Sequence, residues 1–271
     1  MKINFVMSGL TKGERLAQDT AGPSCPPLPS ALLCERTIVF DTSEHKMYEA
    51  VVALLMQMPG VGSFTPSAPQ SLEQFALIIN TFRSFKARQT IYRAVQSSAH
   101  VLEHYERLVM GVVLPELKAW LSITGEAEGS QSFYYQCPPS LRLQHGASPE
   151  FGRVHRDREY GHQPGELNFW MPLTSGTPTL HVESSPDAGD FHALQVEYGA
   201  IACFHGALCR HFAPPNASES LRASLDFRVG IGQYFDPGWT LQGIKAQHTW
   251  KEVPSVKVPT PASGSEIRPR T

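Results

Sequence analysis

At Gln131 the apolar residues of this chain change period, and that change limits what the chain can fold into. Before it they recur every three to four residues, the spacing of helices buried on one face. After it, short runs of aromatic and β-branched residues alternate with Gly, Pro, Asn and Asp turns. A helical first half followed by an all-β second half points to an α+β chain whose strands close into a barrel or jelly roll.

The helical part carries three stretches. Asp41 and Glu44 have capping-box spacing, and Met47, Val51, Leu54, Leu55 and Met58 follow at helical period until Pro59-Gly60. Ser71 and Gln74 mark a second start, leading into Leu72, Phe75, Ile78, Ile79, Phe82 and Phe85. A third runs from Val101 through Tyr105 and Leu108 towards Trp120, with a kink or restart expected at Pro115. Strands are expected at 133–136, 141–144, 154–156, 167–173, 179–182, 193–198, 200–204 and 223–231. The first forty residues read as irregular and Val253 to Thr271, rich in proline, as a poorly ordered tail. The expected organisation is one catalytic unit over 1–271. It comprises an irregular segment at 1–40, a helical part at 41–128, a β core at 129–240, and an extension and tail at 241–271.

Composition removes several functions. A formal net charge of −2 with 18% charged residues leaves no basic footprint for nucleic acid. No apolar run approaches the ~20 residues of a membrane span, and the N-terminus lacks the apolar core of a signal peptide. Five cysteines (Cys25, Cys34, Cys137, Cys203, Cys209) without CxxC spacing suggest neither a disulfide framework nor a structural zinc site. Free thiols in a reducing, cytoplasmic setting are expected, and the sequon at Asn216-Ala217-Ser218 is accidental in that setting.

The chemistry-bearing residues lie in the β half. His155-Arg156-Asp157, with a histidine some fifty residues on, supplies two imidazoles and one carboxylate, the facial set that non-haem Fe(II) takes. In a strand, His155 and Asp157 would share a side. Both His205 and His211 are placed to complete the set. The same alternation puts Arg222, Ser224, Asp226 and Arg228 on one face, where Asp226 could pair with either arginine. Arg142 with Gln144, and Asn168 with Trp170, likewise share faces, and only one of Tyr134 and Tyr135 can line a cavity. His162 and His181 read as supporting or core residues. His100 and His104 lie a helical turn apart without a third ligand nearby. His155-Arg156-Asp157 also spells the catalytic-loop motif of protein kinases, but the Gly-rich loop, lysine strand and Asp-Phe-Gly are missing.

Several ordered blocks resemble the Fe(II)- and 2-oxoglutarate-dependent oxygenases, in the branch of phytanoyl-CoA dioxygenase-like and streptomycin-biosynthesis-like proteins. They are His155-Arg156-Asp157, 165–174, 179–184, 204–211 with Asn216 and Ser218, and 222–228, so the resemblance covers Ser140 to Tyr234. It implies a double-stranded β-helix (jelly-roll, cupin-like) barrel with the helical half packed on it. His155, Asp157 and His211 correspond to the iron ligands, and Arg222, with Ser224 beside it, to the arginine gripping the distal carboxylate of 2-oxoglutarate. Arg228 and Gln144 remain further candidates on the cosubstrate side. Arg142, Asn168, Trp170 and Tyr135 are candidates on the substrate side. The implied cofactors are Fe(II), 2-oxoglutarate as cosubstrate and O₂. The implied reaction is hydroxylation of a small polar metabolite with release of succinate and CO₂. Related halogenases lack a carboxylate at the position of Asp157. Two other readings remain, a non-catalytic metal-binding barrel and a non-oxidative cupin-like metalloenzyme. Neither gives Arg222 and Ser224 a cosubstrate to hold.

Overall fold

A computed structural model describes residues 25–58, 71–75, 85–123, 130–144, 152–175, 179–239 and 249–257. Helices and antiparallel sheet occupy the two expected halves. Helix α1 spans Met47–Met56, α2 Phe85–Ser97, α3 Ala99–Leu108 and α4 Leu114–Ile123. One π-helical turn, Val109–Val113, joins α3 to α4, so the restart expected at Pro115 falls just ahead of it. Ser98 caps α3 by accepting from Val101 N at 3.3 Å. The helix expected from Asp41 starts later, because the Asp41 carboxylate is taken by Ser43 N and Oγ at 2.8 and 2.7 Å in a local turn. The Ser71 start yields one 3₁₀ turn, Leu72–Phe75, and its continuation through Ile78, Ile79 and Phe82 lies outside the described residues.

Ten strands follow in chain order: β1 Arg36–Val39, β2 Ser130–Cys137, β3 Ser140–Gln144, β4 Glu166–Pro172, β5 His181–Val182, β6 His192–Ala193, β7 Ala200–Phe204, β8 His211–Phe212, β9 Arg222–Ile231 and β10 Thr249–Lys257. Seven form a sheet in the order β1-β7-β4-β9-β2-β10, with β3 also paired to β9, and β6-β5-β8 form a second sheet. No closed barrel joins them among the described residues. The strands expected at 179–182 and 193–198 shorten to β5 and β6, β8 was not expected, and three further differences from the sequence reading follow. Strand β1 falls in the segment read as irregular and pairs β7 from Arg36↔Cys203 to Val39↔Ala200. Strand β10 enters the segment read as tail, held against β2. The strand expected at 154–156 shrinks to a single bridge, His155↔His211.

Strand β9 is central and is buried on both sides, which is why its period-two alternation matters. Leu225, Phe227, Val229 and Ile231 alternate towards the helices. They join Leu167, Phe169, Met171, Phe133 and Tyr135 in one apolar core with Met47, Val51, Tyr105, Leu108 and Leu121. Within it Tyr105 meets Phe227 edge-on at 5.2 Å and donates its hydroxyl to Gln136 O at 2.7 Å. The opposite face pairs Arg142 with Ser224, Gln144 with Arg222, Asn168 with Arg228 and Trp170 with Asp226. A second, smaller apolar cluster of Trp170, Val182, Leu194, Val196, Ala202 and Phe204 joins this face to the segments of the minor sheet. Tyr135 is therefore corrected. It packs on Tyr105 in the helix-side core, opposite in register to Val229, and not on the face that carries Arg228.

No helix of the described residues is long and apolar enough to cross a membrane. The five cysteines are free, with Cys137, Cys203 and Cys209 buried.

Candidate metal centre

His155 and His211 meet through paired backbone hydrogen bonds, His155 N to His211 O at 3.2 Å and His211 N to His155 O at 2.9 Å. Just after Arg156 the chain leaves the extended state. Asp157–Tyr160 form a 3₁₀ turn that Glu159 caps by accepting from Arg156 N at 3.1 Å and that Gly161 closes at φ 90°. With Arg156 extended between them, His155 and the first residue of this turn, Asp157, bring their side chains together beside His211. His155 Nε2 lies 3.7 Å and His211 Nε2 3.6 Å from Asp157 Oδ1. One donor atom from each of the three residues falls within 4.8 Å of the others, so the group could hold a metal ion.

The polar atoms of these residues that face away from the centre have partners of their own. His155 Nδ1 sits 2.6 Å from Arg153 O and His211 Nδ1 3.2 Å from Cys209 O. A carbonyl only accepts, so each ring carries a proton on Nδ1 and turns Nε2, the atom free to bind a metal in that tautomer, to the centre. Burial, with His211 nearby, lowers the His155 pKa and favours that neutral form. Asp157 Oδ2 accepts from Asn168 Nδ2 at 2.5 Å and from Arg228 Nε and Nη2 at 2.9 and 2.7 Å, which leaves Oδ1 to the imidazoles. Burial alone would raise the Asp157 carboxyl. The Arg228 guanidinium, with the Asn168 amide donating to the same oxygen, outweighs it and holds the group well below the usual carboxylate range. Two neutral nitrogens and one ionised oxygen make a set that fits Fe(II).

Asn168, expected on the substrate side, thus supports Asp157. Its Oδ1 accepts from Gly206 N at 3.1 Å, and a Cβ on Gly206 would come within 2.6 Å of its amide carbon. Gly206 O in turn accepts from Asp157 N at 2.9 Å. Arg228, expected as a rival for the cosubstrate, is committed to Asp157 and, through Nη1, to Gln136 Oε1 at 2.9 Å. The partner of Asp226 is neither Arg222 nor Arg228 but Arg142, whose Nε lies 2.6 Å from Oδ2. Arg222 is buried beside Gln144 and Ser224 on the same face, and burial draws its guanidinium down to about 10, still charged at neutrality. His205 is turned away from the triad, its Nε2 2.9 Å from Pro164 O. His162 pairs with buried Glu166 at 2.7 Å, and His181 stacks on Phe212. Trp170 stays in the small apolar cluster with Phe204, whose ring meets His211 at 5.3 Å. Asn216, matched as a sequon, is fully buried and donates to Ser220 O at 2.8 Å and Gln144 O at 3.3 Å, tying β3 to the approach of β9.

Gln136, Glu183 and Arg210 were not legible as site residues. Glu183 is 3% exposed and accepts from Arg210 N and Nε at 2.8 Å each, from Arg210 Nη2, and from Gly189 N at 2.9 Å. Arg156 reaches Asp187 of the same loop, so residues 183–190 grip the arginines that flank both ligand segments. Burial pushes the Glu183 carboxyl up, and the Arg210 and Gly189 donors more than offset it, bringing it from 4.5 to about 2. Because the folded value lies below the unfolded one, this stabilisation is complete above about 4.5 and is lost as pH falls towards 2. Glu183→Gln should therefore cost about 2–3 kcal/mol at pH 7, a deficit that shrinks below pH 4.5 in denaturant titrations. A pH-independent deficit would show that shape rather than charge is what counts.

No protein-family model matches the chain. In sequence it is similar to the streptomycin biosynthesis protein StrG of Streptomyces griseus, 36% identical over 106 residues. The match takes in 38% of this chain, which spans half the length of that relative. Solved structures similar to it include the non-haem monooxygenase ThoJ in complex with nickel. That similarity covers 89% of this chain and 87% of that one, at 13% identity and a TM-score of 0.47. The non-haem α-ketoglutarate-dependent carbocyclase SnoK from nogalamycin biosynthesis covers 83% and 91%, at 15% identity and a TM-score of 0.48. In sequence, then, the chain is similar over 106 residues to a streptomycin biosynthesis protein.

Proposed function

We propose that the chain is an Fe(II)- and 2-oxoglutarate-dependent oxygenase that hydroxylates a small polar metabolite, releasing succinate and CO₂. The observation that carries this reading is the Asp157 carboxylate. One oxygen is fixed by three donors and the other faces two imidazole nitrogens whose tautomers are set by backbone carbonyls. Such a set is preorganised for an ion that must keep open positions. Bound iron with 2-oxoglutarate and O₂ would supply oxidation at an unactivated C–H bond.

The chain's own part is to bind, orient and exclude water. Arg222 offers a buried, charged fork to the distal carboxylate of 2-oxoglutarate, flanked by Gln144 and Ser224. Trp170, Phe204 and Val182 keep the neighbouring space apolar. Asp157 fills the position that a halogenase leaves to halide, which favours hydroxylation. On this reading the two sheets are the halves of a double-stranded β-helix, residues 1–271 act as one catalytic unit, and the free thiols suit the cytoplasm. The substrate side carries Arg142 and Asp226 as well as an aromatic wall, too polar for an acyl chain alone.

The direct test is conversion of 2-oxoglutarate to succinate by the Fe(II)-loaded protein under O₂, without added substrate. Slow release that stops with a chelator is expected. Iron binding without any succinate would indicate a non-catalytic barrel. Hydrolytic turnover with zinc or manganese would indicate a different metalloenzyme.

A further inference from the structure

Arg142 and Asp226 form an ion pair that the iron ligands and the cosubstrate arginine do not use. Both lie on the face of β3 and β9 that carries Ser224 and Arg228. Asp226 lies two residues before Arg228 on the same face of β9, and Arg228 donates to Asp157 Oδ2 at 2.9 and 2.7 Å. The pair therefore adjoins the metal centre. It is also open, with the Arg142 side chain 62% and the Asp226 side chain 23% exposed. Among the described residues Arg142 makes one hydrogen bond, from Nε to Asp226 Oδ2, so its two terminal nitrogens are not otherwise engaged there. Asp226 Oδ1 is buried against Ser140, which lies across the strand pair from it.

This arrangement discriminates among substrates by charge. An incoming carboxylate would share the Arg142 guanidinium with Asp226 and bring two like charges together. Were it to draw Arg142 away, a partly buried Asp226 would lose its counter-ion. An ammonium group would meet the same difficulty at Arg142. A hydroxyl both donates and accepts, so adjacent hydroxyls can donate to the carboxylate and accept from the guanidinium while the pair stays intact.

We infer that Arg142 and Asp226 are the recognition element for the substrate oxidised at this site, and that they take a vicinal diol of a neutral polyol or sugar ring. This rests on the proposed oxygenase function and narrows its substrate class. The test is stimulation of succinate release from 2-oxoglutarate by myo-inositol and glucose, against glutamate, lysine and dodecanoate. The polyols are expected to stimulate. Asp226→Asn and Arg142→Lys are expected to raise the polyol KM at least about tenfold, because each breaks one half of a charge-assisted contact. Melting temperature and iron stoichiometry show whether each variant is folded, and the exposed Arg142→Lys change gives a folded variant if Asp226→Asn does not.

Stimulation by glutamate, lysine or dodecanoate instead, or by no probe, overturns the inference. So does an equal rise in the KM for 2-oxoglutarate, which would assign the pair to the cosubstrate. Basal succinate release without polyol stimulation sinks this inference alone. Absence of basal release removes the oxygenase reading and the inference with it.

Discussion

Alanine at His155, Asp157 or His211 is expected to abolish Fe(II)-dependent conversion of 2-oxoglutarate, while His205→Ala is expected to retain a measurable fraction of it. Loss of a residue that only supports a metal ligand costs about 10–100-fold, and loss of a ligand itself should exceed that. His205 is the informative control because it lies in the same segment and is also buried, yet its ring is held by Pro164 O away from the other two histidines. Succinate release at saturating iron and cosubstrate measures all four variants. If His205→Ala were inactive and His211→Ala normal, the donor set drawn here would be wrong.

The second large effect is expected at Arg222. Removing its guanidinium should raise the KM for 2-oxoglutarate by roughly 30–150-fold, since charge-assisted contacts contribute about 2–3 kcal/mol. Arg228→Ala should act differently. It removes two donors from Asp157 Oδ2, so iron affinity should fall before cosubstrate affinity does. Steady-state kinetics in 2-oxoglutarate, at iron concentrations that saturate each variant, separates the two. An unchanged KM in Arg222→Ala would take the cosubstrate role away from Arg222.

What could be read from the chain in advance depended on whether periodicity or tertiary contact decided the outcome. Strand β9 was legible because its alternation is set by burial on both sides. The shared face of Arg222, Ser224, Asp226 and Arg228 follows from that alone. The helices at 47–56 and 99–123 follow from apolar spacing in the same way. Strands β1 and β10 were not legible, because each is specified by the neighbour it pairs with and not by its own pattern. His155 and Asp157 were named for strand parity, and Arg156 between them is extended, but the expected strand is a single bridge to His211 and a 3₁₀ turn opens at Asp157, which the sequence did not announce. Ion-pair partners were the least legible feature. Parity placed Asp226 beside two arginines, but its partner, Arg142, comes from a strand more than eighty residues earlier. Glu183 and Arg210 are likewise brought together by the pairing of β5 with β8, two strands too short to announce themselves.

The central claim is that one Fe(II) binds between His155, Asp157 and His211. Anaerobic equilibrium dialysis of Fe(II), without 2-oxoglutarate or O₂, tests it apart from any catalysis. The wild-type protein and His205→Ala should each hold one equivalent of iron per chain, and His211→Ala should hold none at the same free concentration. Full iron occupancy in His211→Ala, or its loss in His205→Ala, would contradict the account.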